Sequence, residues 1–420
     1  MREVSPLAKQ FVTVFESPAP DTIYTGSPGL CLCPSGRLVG TFDLRGPGVG
    51  QLPGLKTDHG NWAWQGKVFT SDDRGRKWTH RADFPFEHAR PFVAGGSLYV
   101  LGQMGDLMIM RSDDEGESWS EPVRLTAGQH WHGAPGSVHY ANDCVYLAME
   151  KYSYSDVQGW GVSVLAPVLM RAEQNADLTR RENWTFATEL CFRDAVHIAD
   201  IHYLGVPFYG FNRHRTVQVA PGRGMAPPGW LEANVVQLTE PAHYWYDPTG
   251  HTFHLWMRAH TGGTNLAALA KVVEGSDGAM TTMLERAPSG KKMVFLPCPG
   301  GHLKFHILYD EVTELFWLLS NQSTDSMTRA ELLDADRYNL PNDERHRLQL
   351  HFSRNCIDWC FAGLVAAGDS ALCSRSYPSM VIAGEALHIL SRSGNRHAHS
   401  AHDTNLITFH TVENFRELAY

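Results

Sequence analysis

Along this chain hydrophobic residues recur in short runs, most of them alternating with polar ones, and each run follows a turn signal. The stretches "GRLVGTFDL", "GSLYVLGQM", "DCVYLAMEK", "HTFHLWMRA", "ELFWLLSNQ" and "EALHILSRS" are introduced by "PSG", "AGG", "AND", "PTG", "DEVT" and "AGE". A polarity period of two, bounded by Gly, Pro, Asn and Asp, is the pattern of β-strands joined by tight turns. Amphipathic stretches with helical spacing are scarce. The pattern predicts an all-β fold made of successive hairpins.

The hairpins group into a recurring unit of about four antiparallel strands, which points to a β-propeller. Six units are expected, over roughly 28–85, 86–128, 129–192, 230–290, 300–368 and 374–416. Residues 193–229, rich in His, Gly and Pro, form either a long insertion or a weakly marked seventh blade. The N-terminal segment "FVTVFES" is expected to pair beside "NLITFHTVENF" and close the ring. The chain then forms a single propeller domain over 1–420.

Two turns within this pattern share a phrase. "SDDRGRKW" (Ser71 to Trp78) and "SDDEGESW" (Ser112 to Trp119) both read Ser-x-Asp-x-Gly-x-x-Trp, and "ADLTRRENW", ending at Trp184, is a degenerate third. Asp73 and Asp114 suit acceptors for the N–H groups of their own turn. Gly75 and Gly116 supply a positive φ. Trp78 and Trp119 supply an aromatic plug. The expected result is a self-bonded turn between the third and fourth strands of a blade.

Composition narrows the function. The 420 residues carry a formal net charge of −9, which leaves no basic stripe for a nucleic-acid partner. No apolar run reaches the length of a membrane span. The N-terminus lacks a secretory h-region, so the chain as written reads as cytoplasmic, or as periplasmic or secreted if an export signal was removed. The 8 cysteines show no paired metal spacing and read as reduced thiols.

In a propeller the innermost strands converge on a channel, so polar residues at their ends are the candidates for chemistry. Blade by blade these include Arg45 and Asp58, then Glu87, His88 and Arg90, then His132 and Glu150. Glu232, Arg258 and His260 follow, then Lys304, then Arg375, Tyr377, Arg392 and His402. Glu232 in "GWLEANVV" and Arg258 in "HLWMRAH" are charges within apolar strands, so each is expected to be inward-facing and paired. Arg90 and Arg392 suit inter-blade salt-bridge partners equally well, and His88 suits a satisfied strand-end histidine. His397, His399 and His402 lack a fourth ligand, so no metal site is assigned. No cofactor is implied, and a structural calcium in the channel stays compatible with the sequence.

The repeated turns resemble the Asp-box, or BNR repeat, of the sialidase superfamily. "GRLVGTFDLR" followed by Asp58 is similar to the segment carrying one carboxylate-binding arginine and then the acid/base aspartate. "GWLEANVV" with "LWMRAH" resembles the segment carrying the glutamate that activates a tyrosine nucleophile, followed by a second substrate arginine. The resemblance therefore implies Arg45, Asp58, Glu232 and Arg258 in those roles, with Tyr377 and Arg375 taken as the nucleophile and a further arginine. Where the family has a Phe-Arg-Ile-Pro-like motif, this chain reads "YTGSPGL" and has no arginine.

The C-terminal half, with "GWLEANVV", "PGGHLKFHILYDEVTELFWLLSN" and "SAHDTNLITFHTVENF", also resembles propellers that cleave rhamnose–glucuronate linkages as hydrolases or lyases. That branch implies His132 or His88 as base, with Arg258 neutralising the uronate carboxylate. Both branches imply an enzyme that cleaves a glycan at an acidic or deoxy terminal sugar. A propeller that binds glycan without cleaving it is the alternative outside enzymes.

Overall fold

The computed structural model describes residues 4–59, 62–197, 199–200, 212–334 and 344–420. Among the described residues six antiparallel sheets form the blades of a six-bladed propeller arrangement with almost no helix, beside two separate two-stranded hairpins. From channel outwards, blade 1 is Tyr24–Thr25 with Gly29–Leu32, then Leu38–Gly46, Trp62–Ser71 and Thr79–Phe84. Blade 2 runs Glu87–Ala94, Ser97–Met104, Asp106–Ser112 and Val123–Arg124. Blade 3 is Trp131–His132 with His139–Ala141, then Cys144–Tyr152, Leu165–Glu173 and Thr185–Phe186. Blade 4 is Gly229–Val236, Thr252–His260, Leu266–Glu274 and Met280–Met283. Blade 5 is His306–Asp310, Leu315–Ser320, Arg347–Ser353 and Cys360–Ala367.

Blade 6 holds Arg375–Ala383, Ala386–Ser393 and Leu406–Glu413, and its outer strand is the N-terminal Phe11–Glu16. Phe11 to Glu16 pair antiparallel with His410 to Leu406, so the two ends of the chain close the ring as expected. The segment after blade 3 contributes a short helix, Phe192–Ala195, and a two-stranded hairpin, Val217–Ala220 with Arg223–Met225, that joins no blade.

Six apolar cores fill the spaces between neighbouring blades. One example joins blades 6 and 1, where Phe42, Leu44 and Phe69 meet Leu390, Ile407 and Phe409. A blade buried on both faces hides the period-two polarity. In Thr252–His260 every residue after Thr252 is buried, although the sequence alternates His, Leu and Trp. The eight cysteines are all free thiols, most of them buried in these cores.

The Ser-x-Asp-x-Gly-x-x-Trp turns sit where expected, after the third strands of blades 1 and 2. Lys77 N–H donates to Asp73 Oδ1 at 2.8 Å, and Trp78 Nε1 donates to the Gly75 carbonyl at 3.0 Å. The second turn repeats both bonds, Ser118 to Asp114 at 2.9 Å and Trp119 to Gly116 at 3.1 Å. The degenerate third differs, because Trp184 Nε1 donates to the Leu178 carbonyl instead.

All but one of the inner strands are irregular, the exception being His306–Asp310 of blade 5. In blades 2, 4 and 6 two residues face one on the neighbouring strand: His88–Ala89, Glu232–Ala233 and Tyr377–Pro378. Each of these β-bulges turns one side chain out of the pleat. The first residue of each is left-handed, with φ of 54° at His88, 61° at Glu232 and 50° at Tyr377. Blades 1 and 3 have broken inner strands instead, interrupted around Gly26 and Gly133.

Candidate active site

The three bulged residues open into one cavity of ≈440 Å³ at the channel, together with Arg45, His132, Trp160, Arg258, His260, Arg345, Arg392 and His402. Strained backbone of this kind clusters at functional sites. Four of the lining residues are arginines and one, Glu232, is a carboxylate. Among the described residues the cavity therefore presents four guanidinium groups and one carboxylate.

Tyr377 and Glu232 meet at one guanidinium nitrogen. Arg258 Nη1 donates to the Tyr377 hydroxyl at 3.0 Å and lies 3.5 Å from Glu232 Oε2. Arg258 Nε donates to the His302 carbonyl at 2.9 Å, which fixes its orientation. Two further guanidinium groups stand over the Tyr377 ring, Arg345 at 5.4 Å and Arg392 at 4.8 Å from its centroid. Burial, with repulsion from Arg45, brings the Arg392 guanidinium down to about 9, against the attraction of Tyr377 and Asp403.

On the blade 1 side Arg45 Nη2 donates to Asp403 Oδ1 at 2.8 Å and lies 2.9 Å from His402 Nδ1. Burial pulls His402 well below the usual imidazole range, and the charges of Arg392 and Arg45 add to that. Burial and Arg258 together bring His260 down to about 3. These imidazoles are neutral partners, not cations.

His88 and His132 face each other with ring centroids 5.2 Å apart. They are not equivalent. Burial lowers His88 far below its ordinary value, helped by the charges of His132 and the arginines. Burial lowers His132 too, but Glu150, whose Oε2 is 3.8 Å from Nδ1, more than offsets this, with Glu232 and Glu87 behind it, and the net shift is upward. Glu87, at the edge of this pair, rises to about 7 because of burial and the nearby charge of Asp43.

Trp160 stands at the other side of the cavity, 5.5 Å from the Arg258 guanidinium and edge-on to His260 at 4.9 Å. Its loop is tied to the inter-blade segment through Gln158 N–H to the His214 carbonyl at 2.7 Å. Thr216, Gly224 and Ala226 of that segment line the same cavity.

The structure thus brings Arg45, His88, His132, Glu232, Arg258 and Tyr377 together. Two predicted substrate arginines are corrected. Arg90 does not line this cavity; its Nη1 donates to the Ala148 carbonyl at 2.9 Å and its Nη2 to the Ala134 carbonyl at 3.3 Å, so it is a strut between blades 2 and 3. Arg375 is turned away as well, donating to the Ser374 and Gly394 carbonyls at 2.7 and 2.8 Å, with its guanidinium over the Phe11 ring. The bulge explains Arg375: the strand reverses its facing between Ser376 and Ser379, so Arg375 and Tyr377 do not share a face. Asp58 lies on a short edge strand, its backbone paired with Ala63, and its side chain is outside the described residues.

Arg345 escaped the sequence reading. It precedes the third strand of blade 5, in a polar sequence, "ERHR", that gives no strand-end signal. Among the described residues no cluster of three or more His, Cys, Asp or Glu side chains could hold a metal ion.

No protein-family profile matches the sequence, and no curated protein matches it. Solved structures do match in shape. The Hadza microbial sialidase Hz136 superposes with a TM-score of 0.57 at 15% identity, over 96% of this chain and 68% of that one. The fold is that of the sialidase-like six-bladed β-propellers. A Trypanosoma rangeli sialidase mutant displaying trans-sialidase activity gives a TM-score of 0.53 at 12% identity, over 100% of this chain and 61% of that one. The family GH93 α-L-arabinofuranosidase of Fusarium graminearum, solved with arabinobiose, gives 0.51 at 9% identity, over 97% and 98%. These neighbours are glycoside hydrolases, and at such identities the likeness speaks for the fold alone.

Proposed function

We propose that this protein is a retaining, exo-acting glycoside hydrolase that removes a terminal carboxylated sugar. The observation that carries this reading is the phenol of Tyr377, which accepts a hydrogen bond from the guanidinium that also contacts Glu232, with Arg345 and Arg392 over its ring. A phenol is a weak nucleophile at neutral pH and needs a base and nearby positive charge. Glu232 takes the phenolic proton as the oxygen attacks the anomeric carbon, and Arg258 stabilises the developing phenolate. An acid/base, the role that the family resemblance gives to Asp58, donates a proton to the departing glycosidic oxygen and then activates water to release the sugar, the exception to the two-carboxylate scheme. The guanidinium groups of the cavity hold the sugar carboxylate by charge-assisted hydrogen bonds.

Arabinose-releasing neighbours share the fold, but a neutral furanose offers no carboxylate for the arginines of this cavity to hold. The test is hydrolysis of 4-methylumbelliferyl glycosides of N-acetylneuraminic acid, glucuronic acid and L-arabinofuranose. Release from a carboxylated sugar and not from arabinofuranose is expected. The reverse preference sinks the acidic-sugar reading.

The pairing of His88 with His132 favours one second reading, elimination at a uronate by an imidazole base with Arg258 as carboxylate neutraliser. It yields an unsaturated product that absorbs in the near ultraviolet, which the hydrolase does not.

A further inference from the structure

Each of the three left-handed bulges in the cavity is held from behind by a buried ionisable side chain of the preceding blade. Asp43 of blade 1 accepts the His88 N–H at 3.2 Å. Glu150 of blade 3 accepts the Ala233 N–H through Oε1 at 3.0 Å. Lys304, just before the inner strand of blade 5, donates to the Pro378 carbonyl. All three are buried, Lys304 completely. The broken inner strands make room for the two carboxylates. A Cβ at Gly26 would stand 1.8 Å from Asp43 Oδ2, and one at Gly133 would stand 2.7 Å from Glu150 Oε2.

The odd member follows from proline. Pro378 stands where blade 4 has Ala233, and it has no N–H, so at that position the bulge offers only a carbonyl. A carboxylate cannot bond to it; a donor can. The chain accordingly places a lysine where the other two blades place acids. The exchange also reverses the buried charge behind Tyr377, which faces a cation.

We propose that Lys304 is a positioning residue for the Tyr377–Glu232 pair. Its ammonium group fixes the bulge that aims the phenol into the cavity, and its charge lies in the field of Glu232. This rests on the nucleophile reading above. The charged and titratable groups facing Lys304 are Glu232 of blade 4, Arg90 of blade 2 and His306 on its own segment. Burial brings Lys304 down to about 7, with Arg90 adding to the effect and Glu232 opposing it. In the unfolded chain a lysine titrates near about 10.4. Between those values the unfolded state binds the extra proton, so stability rises with pH there, and the cost of the buried cation is greatest below pH 7.

Lys304→Met keeps the side-chain length and removes both the charge and the donor. The expected result is a folded protein whose thermal stability relative to the parent is greatest near pH 6 and narrows as pH rises. Its kcat falls by about tenfold or more with KM changed by about twofold or less, and the fall in parental kcat as pH passes 7 disappears. A crystal structure of Lys304→Met is expected to show Tyr377 out of the left-handed region. Lys304→Gln keeps a neutral donor; it retains the Tyr377 backbone and loses the pH limb, and it serves alone if the methionine variant does not fold. Parental kcat, pH profile and Tyr377 backbone in Lys304→Met, or a parental pH limb in Lys304→Gln, overturn the proposal. If the parent cleaves no acidic glycoside, the nucleophile reading fails by itself; the stability profile and the Tyr377 backbone still decide whether Lys304 holds the bulge.

Discussion

Tyr377 occupies a backbone conformation that costs a side-chain-bearing residue about 1–3 kcal/mol, and so do Glu232 and His88. Three such residues pointing into one cavity mark it as the working part of the molecule. Tyr377→Phe is expected to keep the fold and lower kcat by about 10³-fold or more, because only the phenolic oxygen is lost. Circular dichroism and turnover of the preferred glycoside check this, and a variant within tenfold of the parent contradicts it. Arg345→Met and Arg392→Met should each lower kcat/KM for a carboxylated sugar by about 10–100-fold, mostly through KM, since in the proposed reaction each supplies charge for holding the carboxylate. His132 should help bind that carboxylate while protonated. Its folded-state value lies above the ordinary one, so this contribution is present at low pH and fades as pH rises through it. Glu150→Gln removes the anion that raises His132 but keeps the acceptor for Ala233 N–H. The alkaline rise in KM should therefore move to lower pH in that variant.

At the scale of elements, the turns were readable because their chemistry is local. Ser, Asp, Gly and Trp bond to one another within a few residues, and the hydrogen bonds found are the ones those residue types dictate. Gly75 has φ of 83°, and a Cβ there would lie 2.0 Å from the Phe409 ring of blade 6. Gly75→Ala should lose about 2 kcal/mol from strain and overpacking, with activity per folded molecule unchanged. Denaturant unfolding read beside specific activity checks it. The bulges were not readable. A bulge shifts the facing of every residue after it, and nothing in "RSYPSMV" announces that Arg375 and Tyr377 part company. Strand alternation placed both arginines of "EHAR" and "RSY" in the channel, where the structure uses them to bond backbone carbonyls. Arg345 lies outside any strand pattern, so no periodicity could reach it, whereas Glu232 and Arg258 were legible because a charge in an apolar strand requires a partner.

At the scale of the whole molecule, the ring depends on a contact between its ends. Phe11–Glu16 supplies the outer strand of blade 6, and Val14 enters the core shared with blade 1. Deleting residues 1–16 should leave the edge of Leu406–Glu413 unpaired and lower the melting temperature sharply or cause aggregation. Ring closure was legible in the repeat count, because a propeller whose first strand is spare has one place to put it. Net charge gave the opposite picture to the site: a chain of net charge −9 concentrates four arginines in one cavity. That concentration is a property of three-dimensional convergence, assembled from blades 1, 4, 5 and 6.

In the proposed reaction Tyr377 attacks an acidic sugar, and incubation with 2,3-difluorosialic acid followed by peptide mass spectrometry traps that bond. One fluorosialyl adduct is expected on the peptide containing Tyr377, absent from Tyr377→Phe. Turnover of a sialoside with no adduct, or an adduct on another residue, contradicts it.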